Sequence, residues 1–134
     1  MEKNNKNTLL LAVAFVMLSA TAQAEIQRTA EYDACMDSVD YGALKNSQWA
    51  ACAEEELARQ DVSLNAEYKT LRASLSMEQK DALLQGQRAW LKYRDSWCRF
   101  TEQGNSAPGG IVNYGFCMLD LTDKQIELIK AEQL

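Results

Sequence analysis

Histidine is absent from this 134-residue sequence. That removes the side chain most used for proton transfer and metal binding near neutral pH. It also excludes Ser-His and Cys-His nucleophilic dyads. Proline occurs once, at Pro108, and glycine six times. Of the glycines, only Gly86 falls inside a strongly periodic stretch; helix breakers gather at 40–46 and at 104–115. No segment alternates apolar and polar residues as a strand would, and no glycine-rich phosphate loop follows a strand. There is no Cys-x-x-Cys, the spacing that redox catalysis and structural zinc both favour. The longest apolar run, Leu9 to Leu18, has ten residues and is too short to cross a bilayer. These absences leave a chain suited to helices and poor in catalytic apparatus, with no cofactor or metal site expected.

What is present begins with an export signal. Lys3 and Lys6 precede the apolar run, and Ala22-Gln23-Ala24 supplies small residues at the two positions a signal peptidase reads. Residues 1–24 are therefore expected to be a cleaved signal peptide, and residues 25–134 a single domain. Cleavage takes 24 of the 134 residues and leaves 110. It also removes Glu2, Lys3 and Lys6 from 14 basic and 19 acidic residues, leaving 12 against 18, a charge of −6. No cysteine stands at the signal junction, so the mature form is expected in the periplasm or secreted, without a membrane anchor. The acidic balance argues against nucleic acid, whose phosphates need a basic patch. It suits a cationic protein partner, which it would attract over long range.

Ser47 to Ala73 reads as a long helix, with Asn46 or Ser47 as its cap and an apolar stripe through Ala50, Ala53, Leu57, Leu64, Tyr68 and Leu71. Glu54, Glu55 and Glu56 splay around its early turns, where carboxylates oppose the helix dipole; they read as a solvated face. A second helix begins at Ser76, with Gln79 three residues on completing a capping box, and runs to about Phe100. Its stripe is Leu83, Leu84, Trp90, Leu91, Trp97 and Cys98. Gly86 within it costs about 1 kcal/mol relative to alanine, which suggests close approach of a neighbouring helix. A third helix covers about Tyr114 to Glu132, with Met118, Leu121, Leu128 and Ile129 inward. Thr122 and Gln125 resemble another capping box, marking a break near residue 121. Tyr32, Cys35, Met36 and Val39 fit a short helix near the start. The expected fold is all-α: a small disulfide-stapled antiparallel bundle of three main helices plus a short N-terminal helix.

Export favours oxidation of the four cysteines, Cys35, Cys52, Cys98 and Cys117. Four cysteines allow three pairings. The organisation of the helices favours neighbours: Cys35–Cys52 would pin the N-terminal segment to the first long helix, and Cys98–Cys117 would close the glycine-rich loop. Each closure contributes roughly 3 kcal/mol in the chain-entropy model.

Polar residues interrupt the apolar stripes of two helices. Asp61 sits between Leu57 and Leu64, followed by Asn65; Gln87 and Arg94 share the seven-residue spacing of Leu83, Trp90 and Trp97. Buried polar groups must find partners. Arg94 is expected to bond Asp61 on the facing helix, with Asn65 and Gln87 bonding across or to loop backbone, as a polar lock that fixes helix register. The alternative is a small polar site in a cleft. The pattern Asp61-x-x-Leu64-Asn65-x-x-Tyr68-x-x-Leu71, then Gln87-Arg88-x-Trp90-Leu91-x-x-Arg94-Asp95-x-x-Cys98, Cys117 and Thr122, resembles the LprI-type family of secreted bacterial proteins, named for a lysozyme inhibitor. The resemblance runs from about Cys35 to Leu128. It departs from the family at two points: the lipid-anchor cysteine of the namesake is missing, and Gln125 stands where arginine is usual.

The resemblance implies a helical, disulfide-stapled envelope protein and, for its founding member, inhibition of lysozyme. A cationic lysozyme would then be the partner, and its active-site groove the target. The segment from Gln103 to Asn113, with Asn105, Ser106, Pro108, Ile111 and Val112, is the expected binding loop, braced by Cys98–Cys117 so that less entropy is lost on docking. An envelope interaction or immunity-type protein with a different target shares the same features. The expected protein is not an enzyme. For a carboxylate pair Glu67 or Asp95 could be nominated, but nothing separates them from the other acidic residues.

Overall fold

The computed structural model describes residues 28–43, 46–104 and 109–133. The expected signal peptide and Asn105, Ser106 and Pro108 lie outside the described residues. Among the described residues every regular element is helical: α1 (Ala30–Asp37), a 3-10 turn (Tyr41–Ala43), α2 (Asn46–Ser74), α3 (Met77–Gln103) and α4 (Gly109–Ala131).

The local signals work where a cap is unambiguous. Ser76 Oγ accepts from the Gln79 amide at 3.3 Å, and the Gln79 side chain accepts from the Ser76 amide at 3.0 Å. This reciprocal box starts α3 one residue after Ser76 and makes the α2–α3 connection a tight turn. The Thr122–Gln125 signal marks no break; α4 runs straight through it. The Thr122 hydroxyl donates 2.7 Å back to the Met118 carbonyl, the option open to a threonine inside a helix. Helix α4 also begins at Gly109, five residues before Tyr114. Ile111, Val112 and Asn113 are therefore helical, because packing against α2 outweighs the poor propensity of Gly109 and Gly110.

Cross-links between helices give the topology. Gly115 meets Ala53, Asp123 meets Gln60 and Gln133 meets Glu67, so α4 runs parallel to α2. Cys117 meets Cys98, Thr122 meets Arg94 and Gln125 meets Gln87, so α3 runs antiparallel to α4. Helix α4 packs along both α2 and α3, whereas α2 and α3 share little close contact. The up-down-up bundle carries α1 against α2.

The apolar core divides in two. Tyr32, Val39, Cys52, Ala53 and Leu119 form one cluster, with Met36, Trp49 and Leu57 against it. Leu64, Leu71, Ile126 and Ile129 form the other, with Tyr68, Leu75, Leu83 and Trp90. Full burial of Leu119 contributes about 1.5–3 kcal/mol. Three expectations need correction. Leu91 and Trp97 are exposed, because α3 has one close neighbour and its stripe is wider than the face α4 covers. Leu128 is also exposed, while Leu119 and Ile126 point inward. The close helix approach lies at Gly115, where an added Cβ would stand 2.9 Å from Ala53 Cβ; Gly86 faces open space.

Candidate functional site

Between the two apolar clusters lies a polar layer, gathered from α2, α3 and α4. Arg94 is its centre and is only 6% exposed. Its Nη1 donates to Asp61 Oδ1 at 3.2 Å and to Thr122 Oγ1 at 3.0 Å, and its Nε donates to Asp95 Oδ1 at 3.2 Å. The guanidinium also stands 5.1 Å from the centre of the Trp90 ring, within range of a cation–π contact. Three helices thus converge on one cation whose carboxylate partners stay half in water, which lightens the desolvation cost of the pair. Gln87 accepts from Gln125 Nε2 at 3.0 Å, bonding across to α4. Asn65 is exposed and does not join the layer.

A second polar network lies at the α1 end. Its signal was visible in the sequence, since Glu56 falls on the line Ala53, Gln60, Leu64. Glu54 and Glu55 are solvated as expected, but Glu56 is 1% exposed. It accepts from the Thr29 amide at 3.0 Å, from the Thr29 hydroxyl at 2.5 Å and from Arg59 Nε at 2.9 Å. Thr29 is the N-cap of α1 and accepts from the Tyr32 amide, so Glu56 seats the start of that helix. Burial pushes the Glu56 carboxyl up, but the Thr29 and Arg59 hydrogen bonds outweigh it and hold the carboxyl below its ordinary value. Beside it Arg28 bonds both Asp120 and Asp123, and Gln60 Nε2 donates to Asp123 at 2.7 Å. Burial raises the Asp123 carboxyl despite the Arg28 charge, with Asp120, Glu56 and Glu127 adding to the rise. Burial likewise raises the Tyr32 hydroxyl.

Both cystines belong to this same end: Cys35–Cys52 ties α1 to α2, and Cys98–Cys117 ties α3 to α4. Above the second cystine α3 presents a row of exposed aromatic rings. Tyr93, Trp97 and Phe100 are 52%, 47% and 62% exposed, with ring centres 6.2 and 5.5 Å apart. Ile111, in the first turn of α4, is also exposed and borders a groove of about 380 Å³ with Ala50, Ala53 and Leu57 of α2. Val112 is half-buried. Large apolar side chains left in water on one rigid end are the kind of surface that protein interfaces use.

A different concavity opens on the α2–α3 side. It measures about 270 Å³ and is lined by Asp61, Leu64, Asn65 and Tyr68 of α2 and by Leu84, Gln87, Arg88 and Leu91 of α3. The motif that reads in the sequence as core and lock therefore also forms cleft walls, with Trp90, Arg94 and Asp95 outside the lining. Among the described residues no cluster of acids and cysteines could hold a metal ion, and no helix is long and apolar enough to cross a membrane.

A family model described as lysozyme inhibitor LprI matches residues 35–128. The span takes in both cystines, the polar layer, the aromatic row and the cleft. No curated protein and no solved structure matches the chain.

Proposed function

This chain belongs to the LprI lysozyme-inhibitor family, and we propose that it acts outside the cytoplasm as a binding protein that covers the active-site groove of a lysozyme. The observation that carries this reading is the family match across residues 35–128. The cystine-braced end is the contact surface. It combines the α3–α4 connection, with Asn105, Ser106 and Pro108, with Ile111 and Val112 of α4 and the row Tyr93, Trp97 and Phe100 of α3. Three arguments support that choice. Aromatic side chains are favoured anchors in protein interfaces. A cystine beside them keeps the surface rigid, so less freedom is lost on binding. A net charge of −5 in the full chain steers a cationic enzyme toward it.

A lysozyme groove holds the two carboxylates that act on the glycosidic bond. An inhibitor needs only to deny substrate that groove; no chemistry is required of it. Purified mature protein is expected to slow lysozyme-driven clearing of bacterial cell walls at micromolar concentration. Trp97→Ala together with Phe100→Ala should weaken inhibition about a hundredfold, two interface anchors at roughly 1–2 kcal/mol each. Full activity of several lysozyme types in the presence of the protein would overturn the proposal.

A further inference from the structure

Helix α3 is covered almost entirely by α4, and the face turned away from α4 lies in water along its whole length. We infer that this face pairs with a second copy of the chain, α3 against α3 and antiparallel, as a two-fold symmetric dimer. The proposed contact surface uses the same aromatic rings, so a second copy and a lysozyme compete for them. The pairing itself requires no lysozyme, and either can fail without the other.

The face repeats every seven residues. Gln79, Gly86, Tyr93 and Phe100 hold one position of the repeat, and Ala82, Ala89 and Ser96 hold the other; all are exposed. Steps alternating between three and four residues make the seam along which two helices pack. The two halves of the seam differ in size. Toward the start of α3 it is Ala82, Gly86 and Ala89; toward the end it is Tyr93 and Phe100, with Trp97 beside them. Gly86 stands in the middle, where an added Cβ would meet nothing within 4 Å. No neighbour inside the chain therefore accounts for a residue that costs the helix about 1 kcal/mol.

Running the second copy in the opposite direction sets large against small. With Gly86 beside the second copy's Ala89, the two backbones approach closely at the centre. Tyr93 then packs over the second copy's Ala82, and the two-fold axis repeats each contact. A parallel pair would crowd ring on ring at one end and leave small residues facing one another at the other. Charge follows the same order. One border of the seam is formed by Glu78, Gln85, Lys92 and Arg99, all exposed. The three charged members make no ion pair among the described residues. The antiparallel register brings Glu78 beside the second copy's Arg99, and Gln85 beside its Lys92. A face complementary to itself in both size and charge selects another copy of this chain over a foreign partner. The half-exposed rings of both copies contribute on the order of 600 Å², against about 1,600 Å² for a standard interface, so the dimer is expected to be weak.

The test is sedimentation equilibrium of the mature protein, with its cystines intact, up to about 500 µM; a monomer–dimer equilibrium with a Kd of about 10–100 µM is expected. In a mixture of isotope-labelled and unlabelled protein, a nuclear Overhauser contact should join the Tyr93 ring to the Ala82 methyl group. Within one helix these residues lie about 16 Å apart, so that contact can arise only between copies. Gly86→Glu should weaken the dimer about tenfold or more, because it brings carboxylates into the seam, while the Tm of the dilute monomer holds or rises. Arg99→Glu should weaken it severalfold, and adding Glu78→Arg to that variant should restore it. A chain that stays monomeric throughout would leave the face to a foreign protein and overturn the inference. So would a dimer indifferent to Gly86→Glu or to Arg99→Glu, one that the second charge reversal fails to restore, or one without the Tyr93–Ala82 contact.

Discussion

The two ends of the bundle are held by different means. At one end lie both cystines, the Glu56–Thr29 seat, the Arg28 pair and the Gly115–Ala53 contact. At the other, Leu64, Leu71, Ile126 and Ile129 pack without covalent help, and a capping box closes the α2–α3 turn. The difference follows from what each end must hold. A two-residue turn between long helices orders itself, whereas an eight-residue helix such as α1 cannot stand alone in water. Covalent and ionic ties therefore gather where the local structure is weakest and where the proposed contact surface must stay rigid.

Reduction of both cystines is the strongest way to test that contrast. It should remove roughly 3 kcal/mol per bond, and amide exchange should accelerate first in α1 and the first turns of α4. Equal acceleration around Leu71 and Ile129 would show that the ends are not distinct. Gly115→Val should come next. Its Cβ would stand 2.9 Å from Ala53 Cβ, and overpacking of that kind costs about 1–3 kcal/mol, read as a fall in Tm. Arg94→Leu cuts the layer between the two ends. The loss should be about 1–3 kcal/mol, since Asp61 and Asp95 return to water and Thr122 keeps its bond to Met118. An unchanged Tm would mean that Arg94 locks nothing.

Acid should distinguish the ends more gently. The Glu56 carboxyl is held below its ordinary value of 4.5, so the folded state binds its proton less tightly than the unfolded chain does. Its contribution is fully present above that ordinary value and fades as pH falls through the lower folded one. Asp123 has the opposite sign: its raised carboxyl makes the charged form costly at neutral pH, and protonation relieves that cost. Glu56→Gln should therefore flatten the loss of stability below about pH 5, measured by urea melts across pH. An unaltered acid profile would place the sensitivity elsewhere. The smallest expected effect is a gain. Gly86→Ala, with open space at its Cβ, should raise stability by about 0.5–1 kcal/mol.

Much of the architecture was legible in the residues. Ser76 and Gln79 marked a helix start because a capping box needs only four consecutive residues. The spacing of Leu64, Tyr68 and Leu71 marked one face of α2 because a helix repeats itself. Glu56 was misread with its neighbours Glu54 and Glu55, although its place on the Ala53–Gln60–Leu64 line was the clue. Trp97 and Leu91 were assigned inward on equally good periodicity and ended outside. The candidate site divides in the same way. Arg94 and Asp61 could be paired from their positions in the stripes. The cleft beside them could not, because it exists only where α2 and α3 diverge.

The sequence by itself determined that the protein is helical, where α2 and α3 begin, and which chain segments its cysteines could tie together. These depend on caps, on 3.6-residue periodicity and on the scarcity of breakers, all of which are local. Tertiary structure alone decided which side of α3 meets water, which of three adjacent glutamates is buried, and which glycine lies against a neighbouring helix. Periodicity names a face; burial depends on the neighbour that covers it, and for α3 that cover comes almost entirely from α4.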